Sequence, residues 1–282
     1  MNKNILGETD SYFKSNDLVY APELLFAIPR SENRKKIYIN EKLPFIGWDR
    51  WNAYEFSWLD QKGKPQVACL TIDIPSDSCY IVESKSLKLY LNSFTFKKFV
   101  NINEVIKLVS QDLKRLLLSD VKIKAISLNE LSESAFVPQK NLGTCLDSIV
   151  LEEEIDYSEP SFSEVNNKFI YIENEQSNEI LSTNLFRSLC PVTSQPDWAS
   201  IVIEYQGRKI NHPSLLRYLL SFRKHQGFHE DCVERIFCDL NQICSPDKLS
   251  VYAAFTRRGG IDINPFRSNF QNQIPFARFS RQ

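Results

Sequence analysis

Apolar and polar positions along this chain follow two periods, and the order of the segments they predict occurs twice. Residues 67–74 (V-A-C-L-T-I-D-I) are rich in β-branched residues and read as a strand. Residues 83–96 place Leu87, Leu91 and Phe94 at helical spacing, after hydroxyl residues that can cap a helix. A second amphipathic helix is predicted over 103–118 and a strand over 121–128. The plan then recurs. Residues 199–205 (A-S-I-V-I-E-Y) alternate as a strand, and 213–222 and 228–243 read as helices. In the last of these Cys232, Val233, Ile236, Phe237, Leu240 and Ile243 form one apolar stripe. Strands over 249–256 and 261–263 flank the run Arg257-Arg258-Gly259-Gly260. Residues 1–45 mix polar residues, prolines and short apolar runs and predict little regular structure. Trp48, Trp51 and Trp58 read as a buried aromatic cluster. Residues 151–178 are acidic and serine-containing, with one candidate strand at 168–172, and read as a solvated connector.

The recurrence extends to residue identity. L-K-L-Y-L-N-S-F at 87–94 matches L-L-R-Y-L-L-S-F at 215–222 at five of eight positions. Pro65-Gln66-Val67-Ala68 lies over Pro196-Asp197-Trp198-Ala199, and Asp112-Leu113 over Asp239-Leu240. Three matches in one order indicate duplicated modules, placed at 46–150 and 179–282, with an extension at 1–45 and the connector at 151–178. The polar residues have diverged. Opposite Cys190 and Asp197 the first module has Leu59 and Gln66. Opposite His229-Glu230 it has only apolar and amide residues, near 100–102. Opposite Glu83-Ser84-Lys85 the second has Asn211-His212-Pro213. Complementary losses of this kind imply one composite site between the modules.

Composition narrows the chemistry. With 282 residues the chain can bury a large core, and a formal net charge of -1 gives no basic surface for nucleic acid. The seven cysteines contain no C-x-x-C pair, and the three histidines have no zinc spacing, so no metal is expected. The first ten residues have no signal-peptide core and no stretch is long enough to span a bilayer; a cytoplasmic protein is the expectation. Residues 188–198 (S-L-C-P-V-T-S-Q-P-D-W) read as a loop leading into a strand. Their cysteine and aspartate fit either a nucleophile with its proton donor or ordinary turn chemistry. Arg257-Arg258-Gly259-Gly260 taken alone is a basic turn. No G-x-G-x-x-G follows a strand, so a Rossmann nucleotide site is not supported.

E-S-K-S-L-K-L-Y at 83–90, S-L-C-P-x-T-x-Q-P-D-W at 188–198, F-H-E-D-C-V-E-R-I at 228–236 and T-R-R-G-G-I-D-I-N-P at 256–265 resemble the NADPH-dependent 7-cyano-7-deazaguanine reductases in their long, two-module form. The resemblance runs over nearly the whole chain. It implies an α+β tunnelling fold (T-fold) of two tandem modules, each an antiparallel sheet with two helices on one face, and ligands bound between modules. It implies reduction of a nitrile to an amine in queuosine biosynthesis, with two NADPH as co-substrates. Cys190 would be the nucleophile, Asp197 the proton donor and His229 an aid to both. An acid in that role requires burial. Val82, Glu83, Ser84, Phe228, His229 and Glu230 would bind the deazapurine, with Phe228 stacking on the base or serving as core. Ser84, Lys85, Arg258 and Gly259 would bind NADPH, with Arg257 selecting its 2′-phosphate. Barrels of this fold close between chains, so a homodimer is expected, with no direct nucleic-acid or membrane partner. A zinc-dependent cyclohydrolase relative and a non-catalytic nucleotide-binding module are the alternatives.

Overall fold

A computed structural model of the chain describes residues 19–39, 42–133, 143–272, 278–279 and 281–282. The first ten residues, in which no signal core was found, lie outside it. The architecture rests on two long hairpins. In the first, β2 (Ile46–Leu59) pairs antiparallel with β3 (Pro65–Pro75); in the second, β7 (Ile172–Leu189) pairs with β8 (Pro196–Ile210). Both hairpins carry a bulge at the same place. Pairing slips between Ala53 and Phe56 in one and between Thr183 and Phe186 in the other. An extra residue reverses the parity of every side chain beyond it. Trp51 and Trp58 therefore face one core despite their odd spacing, while Trp48 packs against a separate cluster around Val202, Tyr252 and Phe266. The three tryptophans are one strand's two faces, not a single cluster.

The predicted helices and strands occur in the predicted order with shifted ends, and the last strand runs to Ser268, well past its predicted end at 263. α2 (Ser84–Asn92) and α3 (Ile102–Leu117) cover the first hairpin, and β5 (Lys122–Ile126) extends it beside β3 and leads into the short α4 (Leu128–Glu133). α5 (His212–Leu220) and α6 (His229–Cys244) cover the second, extended by β9 (Lys248–Phe255) beside β8. Each helix pair is fastened alike. Tyr90 donates to Asp112 at 2.6 Å and Tyr218 to Asp239 at 2.7 Å, and α3 and α6 both end on a left-handed residue, Leu118 and Ser245. β10 (Ile261–Ser268) joins the halves. It pairs with β2 from Ile261↔Ala53 to Ser268↔Ile46, but with β9 only from Phe266↔Tyr252 to Ser268↔Ser250. An eight-stranded sheet results, in the order β5-β3-β2-β10-β9-β8-β7-β6, where β6 is Thr144–Cys145 and is parallel to β7. Although β10 follows the second half in sequence, its Ile261 and Ile263 pack into the first half's core.

Three expectations are corrected. Residues 1–45 hold regular structure within the described part: β1 (Ala27–Pro29) pairs with β4 (Tyr80–Val82) and leads into α1 (Arg30–Lys36). The stretch 168–172 forms a 3-10 turn, Asn167–Phe169, before β7 begins at Ile172. The first strand of each hairpin, β2 and nearly all of β7, was not predicted; in β7 residues 173–180 are mostly polar, both faces being solvated there, so no alternation exists to read. Residues 151–178 are also not a free connector. Phe162 is 1% exposed, ringed by Tyr157, Phe169 and Arg217, and Val165 and Ile170 are buried in the second core.

Candidate active site

At the end of the β7–β8 hairpin the chain turns through residues 190–195. The Cys190 amide donates to Gln195 O at 2.9 Å and the Ser194 amide to Cys190 O at 2.9 Å, with Ser194 left-handed at φ 55. Pro196 and Asp197 already belong to β8, so the loop is shorter than the predicted 188–198. Leu189, just before it, is tied to the lead-in of α6: its amide donates to His225 O and its carbonyl accepts from the Gly227 amide. This stitch brings Cys190 and Asp197 beside the first turn of α6, which carries His229 and Glu230.

The first half has the same construction. Leu59 bonds Lys97 O and the Phe99 amide, and the Asp60 amide donates to Lys64 O. The structural counterpart of Cys190 is therefore Asp60, and Leu59 corresponds to Leu189. Residue matching missed this because the 190–195 loop is longer than its copy by one residue. Gln66 does correspond to Asp197, since Pro65 and Pro196 pair with Leu59 and Leu189. The copy thus keeps the scaffold and replaces thiol and acid by Asp60 and Gln66.

A cavity of about 270 Å³ opens between the halves, and every residue singled out by sequence for a site except Arg257 lines it. Cys190 and Asp197 come from the hairpin, and Phe228, His229 and Glu230 from the start of α6. Val82, Glu83, Ser84 and Lys85 come from the β4–α2 junction of the first half, and Arg258 and Gly259 from the β9–β10 turn. Asp197 is buried, 5% exposed. Its Oδ1 is 2.8 Å from Arg258 Nη2 and 3.4 Å from His229 Nε2, the latter without hydrogen-bond alignment. The His229 ring leans on Phe255 with centroids 3.9 Å apart. Phe228 is half-buried and faces the cavity rather than a core.

Glu230 is 2% exposed and its Oε1 has no hydrogen-bond partner among the described residues. Burial first, and then the charge of Asp49, push its carboxyl up to about 7; His229 and Arg30 oppose the shift. A buried acceptor aimed into a cavity without a partner calls for a donor on a ligand. Glu83 is the N-cap of α2, accepting from the Lys85 amide at 2.9 Å and the Ser86 amide at 2.7 Å. A carboxylate offers about four lone-pair sites, so these two bonds fix its direction and leave acceptor capacity for a ligand.

Gly259 and Gly260 are both left-handed, at φ 55 and 77. A Cβ on Gly259 would meet the Lys88 ammonium at 2.6 Å, a clash the flexible lysine could relieve, so it is the left-handed backbone that favours glycine there. Lys88 also lines the cavity, one turn beyond Lys85 on α2, and sequence reading passed over it although an i, i+3 pair shares a helix face. Arg257 is directed elsewhere: it stacks on Tyr54 at 4.6 Å and does not line the cavity. That corrects its expected part in selecting a 2′-phosphate. Among the described residues no group of three His, Cys, Asp or Glu could hold a metal, and no helix is long and apolar enough to cross a membrane.

Comparison with known proteins adds the family. Residues 16–125 match the model described as "Nitrile reductase, 7-cyano-7-deazaguanine-reductase N-term", and residues 196–273 the model "QueF-like protein". NADPH-dependent 7-cyano-7-deazaguanine reductases resemble the chain along nearly its whole length. That of Desulfotalea psychrophila is 46% identical, covering 93% of this chain and 93% of its own. That of Buchnera aphidicola is 48% identical, over 90% and 95%. That of Hydrogenovibrio crunogenus is 44% identical, over 100% and 97%. The chain belongs to the NADPH-dependent 7-cyano-7-deazaguanine reductases. The reductase has antiparallel strands and two covering helices in each half. A solved structure of an archaeosine synthase, QueF-Like in the apo form, aligns with 36% of this reductase at a TM-score of 0.30 and 14% identity.

Proposed function

We propose that this chain reduces the nitrile of 7-cyano-7-deazaguanine to the aminomethyl group in queuosine biosynthesis, consuming two NADPH through a thioimide on Cys190. The observation that carries the reading is the convergence of Cys190, Asp197 and Glu230 from one half with Glu83, Ser84 and Lys85 from the other on a single cavity.

A nitrile carbon accepts hydride poorly, and addition of a thiol divides the reaction into easier steps. The Cys190 sulfur bonds to the nitrile carbon, one C–N π bond opens, the nitrogen takes a proton from Asp197, and the proton released from the thiol restores that carboxyl, giving a thioimide. Balanced over the whole reaction, R–C≡N takes up two hydrides and two protons to become R–CH2–NH2, and Cys190 departs as the thiol. Asp197 and His229 hold protons at the nitrogen through both reductions. Glu83 and Glu230 accept from the N–H donors of the guanine-like edge, which suits carboxylates. Phe228 covers the base.

The residues present fit a dinucleotide phosphate. Lys85, Lys88 and Arg258 are cationic groups at one side of the cavity, and Gly259 lets backbone and ligand approach closely. Bound there, NADPH supplies hydride. Ser84 and Lys85 sit on the first turn of α2 beside Glu83, so substrate and cofactor are placed from one short segment.

The assay follows NADPH absorbance on addition of 7-cyano-7-deazaguanine. Two NADPH oxidised per amine formed is the expected stoichiometry; no oxidation, or one per product, overturns the reading. A zinc-dependent cyclohydrolase activity finds no support in the donor set of the cavity, where Cys190 and His229 are joined by no third thiol or imidazole.

A further inference from the structure

Glu83 and Glu230 lie on different halves of the molecule, yet both must face one rigid bicyclic edge. One short segment ties them together. The Glu83 amide donates to Phe26 O at 2.9 Å, and the Phe26 amide donates to Ser86 Oγ at 3.1 Å. β1 then runs along β4, with Ala27 opposite Val82 and Pro29 opposite Tyr80. The backbone of 26–29 is thus laid against the strand that ends in Glu83. α1 begins at the next residue and reaches the other half. Asn33 Nδ2 donates to Asp231 Oδ2 at 2.6 Å. Arg34 donates through Nε and Nη2 to both oxygens of Glu234, at 2.9 and 2.7 Å, and through Nη2 to Ser76 O. Asp231 adjoins Glu230, and Glu234 is one turn further along α6.

The contact is ionic where an apolar one would serve stability equally. Arg30, Arg34, Asp49, Glu234 and Arg267 are all buried; Arg30 and Arg267 pair with Asp49, and Arg34 and Arg267 with Glu234. Buried ion pairs contribute little net stability, and their best attested use is to set register. A bidentate arginine–carboxylate pair fixes both distance and angle.

We propose that the segment from Phe26 to Arg34 is a clamp that sets the spacing of Glu83 and Glu230, and that Asn33 and Arg34 are positioning residues for the deazapurine. This rests on the reading of those two carboxylates given above. Neither residue touches the ligand; each acts through α6.

Affinity is measured by calorimetric titration of 7-cyano-7-deazaguanine into protein carrying Cys190→Ala, so that binding is non-covalent and needs no cofactor. Adding Asn33→Ala, which removes the bond to Asp231 together with an exposed one accepted from Lys36, weakens binding on the order of tenfold by misplacing Glu230. Arg34→Ala weakens it further and Arg34→Lys restores part of the loss. With Cys190 in place, Asn33→Ala raises KM for the nitrile and leaves kcat and KM for NADPH unchanged, a split that general destabilisation would not give. Glu83→Asn, which keeps a capping oxygen, is the control. Weakened binding in Glu83→Asn with none in Asn33→Ala overturns the clamp alone. Unchanged binding in both overturns the reading of the site and the clamp with it.

Discussion

Arg258 Nη2 lies 2.8 Å from Asp197 Oδ1 and donates to Pro196 O at 2.7 Å. The cation assigned to the cofactor is thus held on the carboxyl assigned to proton delivery. Losing Arg258 would affect both. A charged hydrogen bond contributes about 1.5–3 kcal/mol, so Arg258→Ala should weaken NADP+ binding roughly 10- to 100-fold by titration. It should also slow turnover at saturating NADPH, because Asp197 is left buried without its partner. A change in NADP+ affinity with kcat untouched would separate the two roles.

Asp197→Asn keeps the shape of the hairpin end and removes the proton. Nitrile binding should persist while kcat falls roughly 10²- to 10⁴-fold, the usual contribution of a positioned acid. The check is a binding titration beside steady-state rates; unchanged turnover would return Asp197 to the turn chemistry that its copy, Gln66, performs.

The cysteines should sort by burial. Burial raises the thiols of Cys69 and Cys238 to about 12, that of Cys244 to about 11, and that of Cys232 higher still. Reactivity belongs to the thiolate. Iodoacetamide at neutral pH should therefore modify Cys190 and the exposed Cys79 and spare those four. Prior addition of the nitrile should protect Cys190 alone, as read by peptide mass spectrometry. Protection of a different cysteine would relocate the nucleophile.

In the proposed role Glu230 accepts N–H donors as a carboxylate, and its carboxyl is raised to about 7 by burial and by Asp49, against His229 and Arg30. Nitrile affinity should therefore fall as pH drops through about 7. The effect on stability has the opposite sense. A raised carboxyl contributes stability below its unfolded value, 4.5, and loses it as pH rises through about 7. Relative to the unsubstituted protein, Glu230→Gln should gain melting temperature between pH 5 and pH 8 and bind the nitrile weakly throughout. A difference independent of pH would show that Glu230 titrates elsewhere. The neighbouring Asp231 is raised to about 7 as well, by burial and by Glu234, so its own contribution remains in both proteins.

Repetition made much of the site legible. The match of 87–94 to 215–222 and of Pro65 to Pro196 located two copies of one module, and comparing them isolated Asp197, Glu83 and Lys85 as residues without counterparts. Helices with one apolar stripe, such as α3 and α6, were visible through their periodicity. β7 was hidden where both its faces are solvated, and the bulges that turn Trp58 and Phe186 inward were hidden because a period reports spacing, not register. Cys190 was paired with Leu59 instead of Asp60 because one added loop residue shifts an ungapped comparison.

By itself the sequence determined which chemical groups this reductase has: a thiol and an acid near one hairpin end, two carboxylates, Lys85 and the Arg258-Gly259 turn. These are local properties, carried by residue type and close spacing. Only the tertiary structure decided that they meet. β10 crosses to pair with β2, α1 binds α6 through buried charges, and the β9–β10 turn lays Arg258 on Asp197. The first two of those contacts join residues 200 and more positions apart, and the energies of all three depend on burial and geometry that no local pattern records.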